Sequence, residues 1–465
     1  MGENFLLDTG TARALYHGSA KELPILDYHC HLDPRELWED RRFENLTQLW
    51  LLHDHYKWRV MRSNGVKEQL ITGDADDREK FQAFAETLPR AIGNPMYHWC
   101  HLELKNYFGY EGVLNGDTAQ QVWDWCRERL TQDPQLSARG ILQKSRVYMV
   151  GTTDDPCSKL EWHEKLSTVP DFSTRVCPTF RPDPLLNIGQ EGFNSYLERL
   201  EQCTGRCIST IEDLRGAISV RIDYFARHGC CSADHGLYAV IYQPVSDEEV
   251  TRTMQMARVG KPVSREAAEG YQTALLLHCA REYAKRGWVM QLHFGCIRNP
   301  NRRMLRLLGS DAGYDGMGVT DSSQAAYQFL DRLDSEGRLP KTVLYSLNPA
   351  DNAWIDVLLG AFQGPETPGK LQHGCAWWFN DHHAGIIEHL TSLANLSLLG
   401  NFIGMLTDSR SLISYARHEY FRRILCALLG RWVERGEYPD DRQALDGIVQ
   451  DICFRNAVRY FNLQQ

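Results

Sequence analysis

The stretch "ILDYHCHLDP", Ile25 to Pro34, runs from apolar residues into two histidines one residue apart. In an extended strand successive side chains face opposite sides, so His29 and His31 emerge together while Tyr28 and Cys30 face away. Two imidazoles on one face suit a grip on a single ion, zinc or another borderline divalent metal. An HxH pair also fits two histidines satisfied by ordinary hydrogen bonds, so its weight depends on what recurs further along the chain.

Seven more short apolar runs end the same way. With "PILDYHCH" (24–31) they are "RVYMVGTTDD" (146–155), "RVCPTFRPD" (175–183), "CCSADHG" (230–236), "WVMQLHFG" (288–295), "TVLYSLNP" (342–349), "CAWWFND" (375–381) and "FIGMLTDSR" (402–410). Their polar ends are His31, Asp154, Arg181, Asp234, His293, Asn348, Asn380 and Asp408. Eight candidate strands separated by helical material predict a (β/α)₈ barrel, whose active site lies at the C-terminal ends of its strands. The 465 residues fit one such domain, 1–465, because barrels with insertions exceed 400 residues.

Residues 35–145, rich in Trp, Leu and charged side chains, are expected to form a largely helical insertion after the first strand, with "DREKFQAFAETL" (77–88) as one helix. "FNSYLERLEQC" and "EDLRGAISVRIDYFARHG" predict two helices between 184 and 229. Tyr420, Phe421, Ile424, Leu425, Leu428, Leu429, Trp432 and Val433 mark the last helix, stopped by Gly436 and Pro439. No repeat or low-complexity linker marks a domain cut.

A net charge of −9 offers no broad basic field for nucleic acid or an anionic membrane, so an anionic substrate must meet locally placed arginines. "MGENFLLDTG" lacks the basic and apolar regions of a signal peptide, and no eighteen-residue apolar run occurs, so a cytoplasmic location is expected. Fourteen scattered cysteines without a CxxC pair read as reduced, mostly buried thiols.

His293, ending the fifth candidate strand, and Asp408, ending the eighth, are placed to converge with His29 and His31. A two-histidine, one-carboxylate site would leave coordination positions open for substrate or water. The plainer readings are a core histidine at 293 and a helix N-cap at Asp408. Trp377 and Trp378 read as core and rim packing, "RHEYFRR" (417–423) as the solvated face of a helix, and "DHG" (234–236) and "DHH" (381–383) as surface or supporting groups.

Taken in order, "DYHCH" (27–31), "DHYKWRVMRSNG" (54–65), "GTTDDP" (151–156), "FRPD" (180–183), "WWFND" (377–381) and "MLTDSRSLISYARHEYFRR" (405–423) resemble the uronate isomerases, also called glucuronate isomerases, of the amidohydrolase superfamily. The likeness runs from about residue 5 to residue 463. It implies a distorted (β/α)₈ barrel with a helical insertion, interconverting D-glucuronate with D-fructuronate and D-galacturonate with D-tagaturonate. It also implies one divalent ion, zinc foremost, held by His29, His31 and Asp408, with His293 in the shell of metal and substrate. His55 and Tyr56 match positions for substrate binding and proton transfer, and Arg181 and Arg410 match substrate-contacting arginines. The only partners expected are a small hexuronate and further copies of the chain in a homo-oligomer.

The residue types suit that chemistry. Moving a carbonyl from C1 to C2 takes a proton from C2 and delivers one to C1, while the enediol oxyanion is stabilised. Tyr56, His55 and Asp408 are all open as the acid or base. The alternative is a metal-dependent hydrolase of the same superfamily. Many of those bridge two metals with a modified lysine at the end of strand four, and "CCSADHG" has no lysine.

Overall fold

Ten strands carry the frame of the computed structural model, which describes residues 1–463. They are β1 (Ile25–Asp27), β2 (Val147–Gly151), β3 (Arg175–Cys177), β4 (Thr179–Phe180), β5 (Ser232–Gly236), β6 (Val289–Phe294), β7 (Cys296–Ile297), β8 (Gly316–Met317), β9 (Lys341–Ser346) and β10 (Leu371–His373). Two parallel sheets run β1-β2-β3 and β10-β9-β6-β5-β4, and β7-β8 is a separate antiparallel pair. Pro178, with no N–H to give to a ladder, interrupts β3 and β4, which share one strand position. Asp154 bridges onward to Phe180, so the two sheets join there.

Residues 402–409 fill the eighth position without a regular ladder. The Asp408 N–H donates to His29 O at 3.2 Å and the His31 N–H to Ser409 O at 2.9 Å. The fully buried Asp27 accepts from the Thr407 N–H at 2.7 Å and its hydroxyl at 2.6 Å. Gly404 bends the segment at φ +77°, where a Cβ would lie 2.3 Å from Ile452 O. The result is a distorted (β/α)₈ barrel of the amidohydrolase type.

One strand and one helix depart from expectation. The seventh strand is β10, not 375–381, which forms a loop and the short 3₁₀ turn Trp378–Asn380. A Cβ on Gly374 would lie 1.9 Å from the Tyr345 ring, so the chain crosses that ring only as glycine and turns away. The helix Ala416–Glu434 is not the last, because Arg442–Gln450 and Asn456–Tyr460 follow it. The Tyr460 hydroxyl donates to Lys370 O at 2.8 Å beneath the barrel.

Between β1 and β2 the chain is helical. Pro34–Glu39, Leu46–Trp50, His55–Ser63, Asp77–Thr87, Pro95–Phe108, Ala119–Gln132 and Ala138–Lys144 surround an apolar cluster that includes Trp50, Phe81, Phe84 and Leu104. The two helices expected between 184 and 229 lie at Phe193–Thr204 and Ile211–Arg227.

The basic run at 417–423 is not a solvated face. Arg417, Arg422 and Arg423 are 1%, 4% and 5% exposed, because the helix is buried on nearly every side from Ala416 to Gly430. Their guanidiniums serve backbone carbonyls instead: Arg417 that of Thr407, Arg422 those of Leu23 and Pro24, Arg423 that of Glu3. Eight of the fourteen cysteines are buried, and among the described residues no helix is long and apolar enough to cross a membrane.

Candidate active site

A polar cavity of about 600 Å³ opens at the C-terminal ends of the strands, with His29, His31, His55, His293, Asp408 and Arg410 on its wall. A larger one of about 740 Å³, lined by Lys21, Arg146 and Arg422 among others, gathers none of these groups.

The first two histidines leave β1 on one side, as the alternation of an extended chain requires, and meet the eighth segment. His29 Nε2 lies 3.3 Å and His31 Nε2 3.0 Å from the same Asp408 oxygen, Oδ1. Trp377 Nε1 donates to Asp408 Oδ2 at 2.8 Å. Asp408 caps no helix; at φ +47° it sits in the left-handed region that an L-residue enters only when its surroundings hold it. On the far side of His29, Asp234 in the middle of β5 takes a 2.6 Å contact from His293 Nδ1 and lies 3.9 Å from His29 Nδ1. The His29 and His293 rings are 4.7 Å apart.

The charges follow from these contacts. Burial alone would neutralise Asp408, yet hydrogen bonds from His29 and His31 hold its carboxyl well below the usual range. Burial opposes charge on His29 too, but Asp234 and then Asp408 hold it above its ordinary value. Burial pushes His31 down to about 4, and lowers His55 and His293. Asp234 stays ionised against burial through Arg181, His29 and His293.

The donor set fits a divalent cation. A tetrahedral zinc bonded at about 2.0–2.1 Å keeps its donors about 3.4 Å apart, and the atoms of His29, His31 and Asp408 converge at that scale. His29, Asp234 and His293 form a second overlapping group of donors. His293 Nε2 is buried without a hydrogen-bond partner, as a nitrogen free to take a ligand would be, and His29 Nδ1, also without a hydrogen bond, faces Asp234 on the other side of its ring.

The other expected residues differ in availability. Arg181 is committed, its Nε to Asp183 at 2.8 Å and Nη1 to Asp234 at 2.8 Å. Arg410 lines the cavity and makes no side-chain hydrogen bond or ion pair among the described residues. His55 opens the helix His55–Ser63 and lines the cavity. Tyr56 stacks behind it, ring centroids 5.0 Å apart, and touches Trp99 and Arg417 rather than the cavity wall. Burial raises its hydroxyl well above the ordinary phenol value.

Four further groups lie here that the sequence does not single out as site residues. Asp234 belongs to the centre of the site, and its signal was its place at the end of the fourth candidate strand. Trp377 and Trp378 belong to the core, as their packing reading expected, and also line the cavity. Arg298, beyond β6, reaches the rim held by Asp315 at 2.7 Å, with nothing local to mark it.

A family model described as Glucuronate isomerase matches residues 1–461. The chain belongs to the glucuronate isomerase family. A uronate isomerase of Lachnospira eligens is 52% identical over 99% of this chain and 98% of its own length. One from Caldanaerobacter subterraneus subsp. tengcongensis is 50% identical over 100% and 99%. Among solved structures, a uronate isomerase of Thermotoga maritima superposes with a TM-score of 0.93 at 32% identity, covering 99% of each chain. A glucuronate isomerase of Caulobacter crescentus does so with a TM-score of 0.92 at 25% identity, over 100% of this chain and 97% of its own.

Proposed function

We propose that the cavity is the active site of an aldose–ketose isomerase interconverting D-glucuronate with D-fructuronate and D-galacturonate with D-tagaturonate. The observation that carries this reading is the convergence of His29, His31 and Asp408 beside the unpaired Arg410, on one polar cavity, in a member of the glucuronate isomerase family. The hydrolase alternative is not favoured, since β5 ends without a lysine and the full-length relatives are isomerases.

His29, His31 and Asp408 hold one divalent ion, zinc by the nature of its donors, with His293 facing the same space. Bound there, the ion supplies a fixed positive charge for substrate oxygens. Arg410 and the free edge of Arg181 bind oxygens of the anionic sugar. Asp408, kept ionised, is the group suited to accept the C2 proton, and Tyr56, kept protonated and stacked on His55 one ring behind the cavity wall, is the acid that the inserted helices supply. His55, a neutral ring that lines the cavity and stacks on Tyr56, orders the sugar, with Trp377 and Trp378 shielding the enediol from water.

The chain works as one domain, 1–465, in which 35–145 is an insertion that brings His55 and Tyr56 over the barrel mouth. It acts in the cytoplasm as a homo-oligomer.

The test is incubation with D-glucuronate and D-galacturonate in deuterium oxide with metal supplied, following ketose and C1 deuterium by NMR. Ketose with deuterium at C1 is expected. No ketose from either uronate would sink the assignment.

A further inference from the structure

Arg417 is where the chain breaks local rules most severely. It is the second residue of the helix Ala416–Glu434, so its charge lies at the positive end of the helix dipole, and it is 1% exposed. Burying a guanidinium costs several kcal/mol unless its surroundings repay it. Here no carboxylate pairs with it closely: Asp54 Oδ2 is 3.9 Å away and the Nε is buried without a partner.

What it does touch are both halves of the reacting site. Its Nη1 donates to Thr407 O at 3.0 Å, the residue just before Asp408. Its guanidinium lies 5.1 Å from the Tyr56 ring and 4.0 Å from Trp99, inside cation–π range. Asp54, toward which Nη2 points, caps the helix carrying His55 and Tyr56 by accepting from the Tyr56 N–H at 2.9 Å. Asp408 belongs to the barrel and Tyr56 to the helices inserted after β1, and Arg417 is a single rigid fork reaching both.

We propose that Arg417 is a positioning residue for the isomerisation, setting Tyr56 against Asp408 by holding the Thr407 carbonyl, the Asp54 cap and the Tyr56 ring together. The proposal rests on the roles assigned above to Tyr56 and Asp408. Rule-breaking residues of this kind are retained where function needs them. Lysine cannot replace it, because a point charge cannot serve a carbonyl and a stacked ring in two directions.

The experiment measures kcat and KM for D-glucuronate, bound metal and melting temperature in Arg417→Lys and Arg417→Met, each alone and combined with Tyr56→Phe. Misplacing a reacting group by about 1 Å costs about 100-fold, so R417K is expected to lose about that much in kcat, with KM within about threefold and metal content unchanged. In the Tyr56→Phe background the same substitution should cost less than about threefold, because the group it positions is gone. If R417M fails to fold, R417K and its double variant still decide. Equal losses in both backgrounds, or a fall in melting temperature with kcat intact, would overturn the proposal. Absence of ketose from the unaltered enzyme would instead overturn the isomerase reading beneath it.

Discussion

Glu103 carries a carboxyl into the interior of the inserted helices, where it is 1% exposed and its Oε2 has no hydrogen-bond partner. Burial raises its pKa from 4.5 to about 7, while Lys57 and Arg417 pull the other way. A carboxyl whose folded pKa is raised holds its proton more tightly folded than unfolded. Its contribution is therefore fully present below about pH 4.5 and is lost as pH rises through about 7. Glu103→Gln, neutral at every pH, should melt close to the parent at pH 5 and higher than it at pH 8. The gap should approach about 3 kcal/mol at most, since one pKa unit is worth about 1.4 kcal/mol. Thermal unfolding at the two pH values checks this, and a gap that does not widen with pH would refute it.

At the scale of an element, the helix His55–Ser63 depends on Asp54. Its carboxylate caps the helix at the Tyr56 and Lys57 N–H groups and pairs at 2.6 Å with the Lys57 ammonium, itself 1% exposed. Asparagine caps about as well as aspartate, so Asp54→Asn separates the two tasks. Left without its directly paired carboxylate, buried Lys57 should cost about 3–5 kcal/mol in urea unfolding. Adding Lys57→Met should return most of that loss, and a double variant no more stable than Asp54→Asn alone would contradict the account.

Across the whole molecule the weakest seam is where the barrel closes. Residues 402–409 join β1 through a few backbone bonds and the Asp27–Thr407 pair, and the histidine–Asp408 cluster spans the same seam. A metal bound there ties positions 29 and 408 together and binds the folded chain alone. Zinc at about 100 times its dissociation constant should stabilise by about 2.7 kcal/mol, a rise of about 2–5 °C in melting temperature. A chelator should reverse the rise and His31→Asn should abolish it. A shift that persists in His31→Asn would place the ion elsewhere.

Much of this was legible in one dimension. Short apolar runs ending in polar residues announced the barrel strands, and the spacing of His29 and His31 put both on one face, because strand geometry is local. The motifs at 54–65 and 405–423 were enough to name the family. What the chain alone could not reveal were properties of contact. The strand at 371–373 escaped notice because the louder apolar signal of Trp377 and Trp378 belongs to the cavity wall. The arginines at 417, 422 and 423 read as solvated, since a basic run looks alike whether water or buried carbonyls receive it. Asp234 stood at a strand end from the start, but only folding shows that Arg181, His29 and His293 meet on it. Strand order and side-chain alternation follow from short-range sterics written into neighbouring residues. Which charges share a cavity, and which are already spent on one another, is decided by groups hundreds of residues apart and exists only in the tertiary structure.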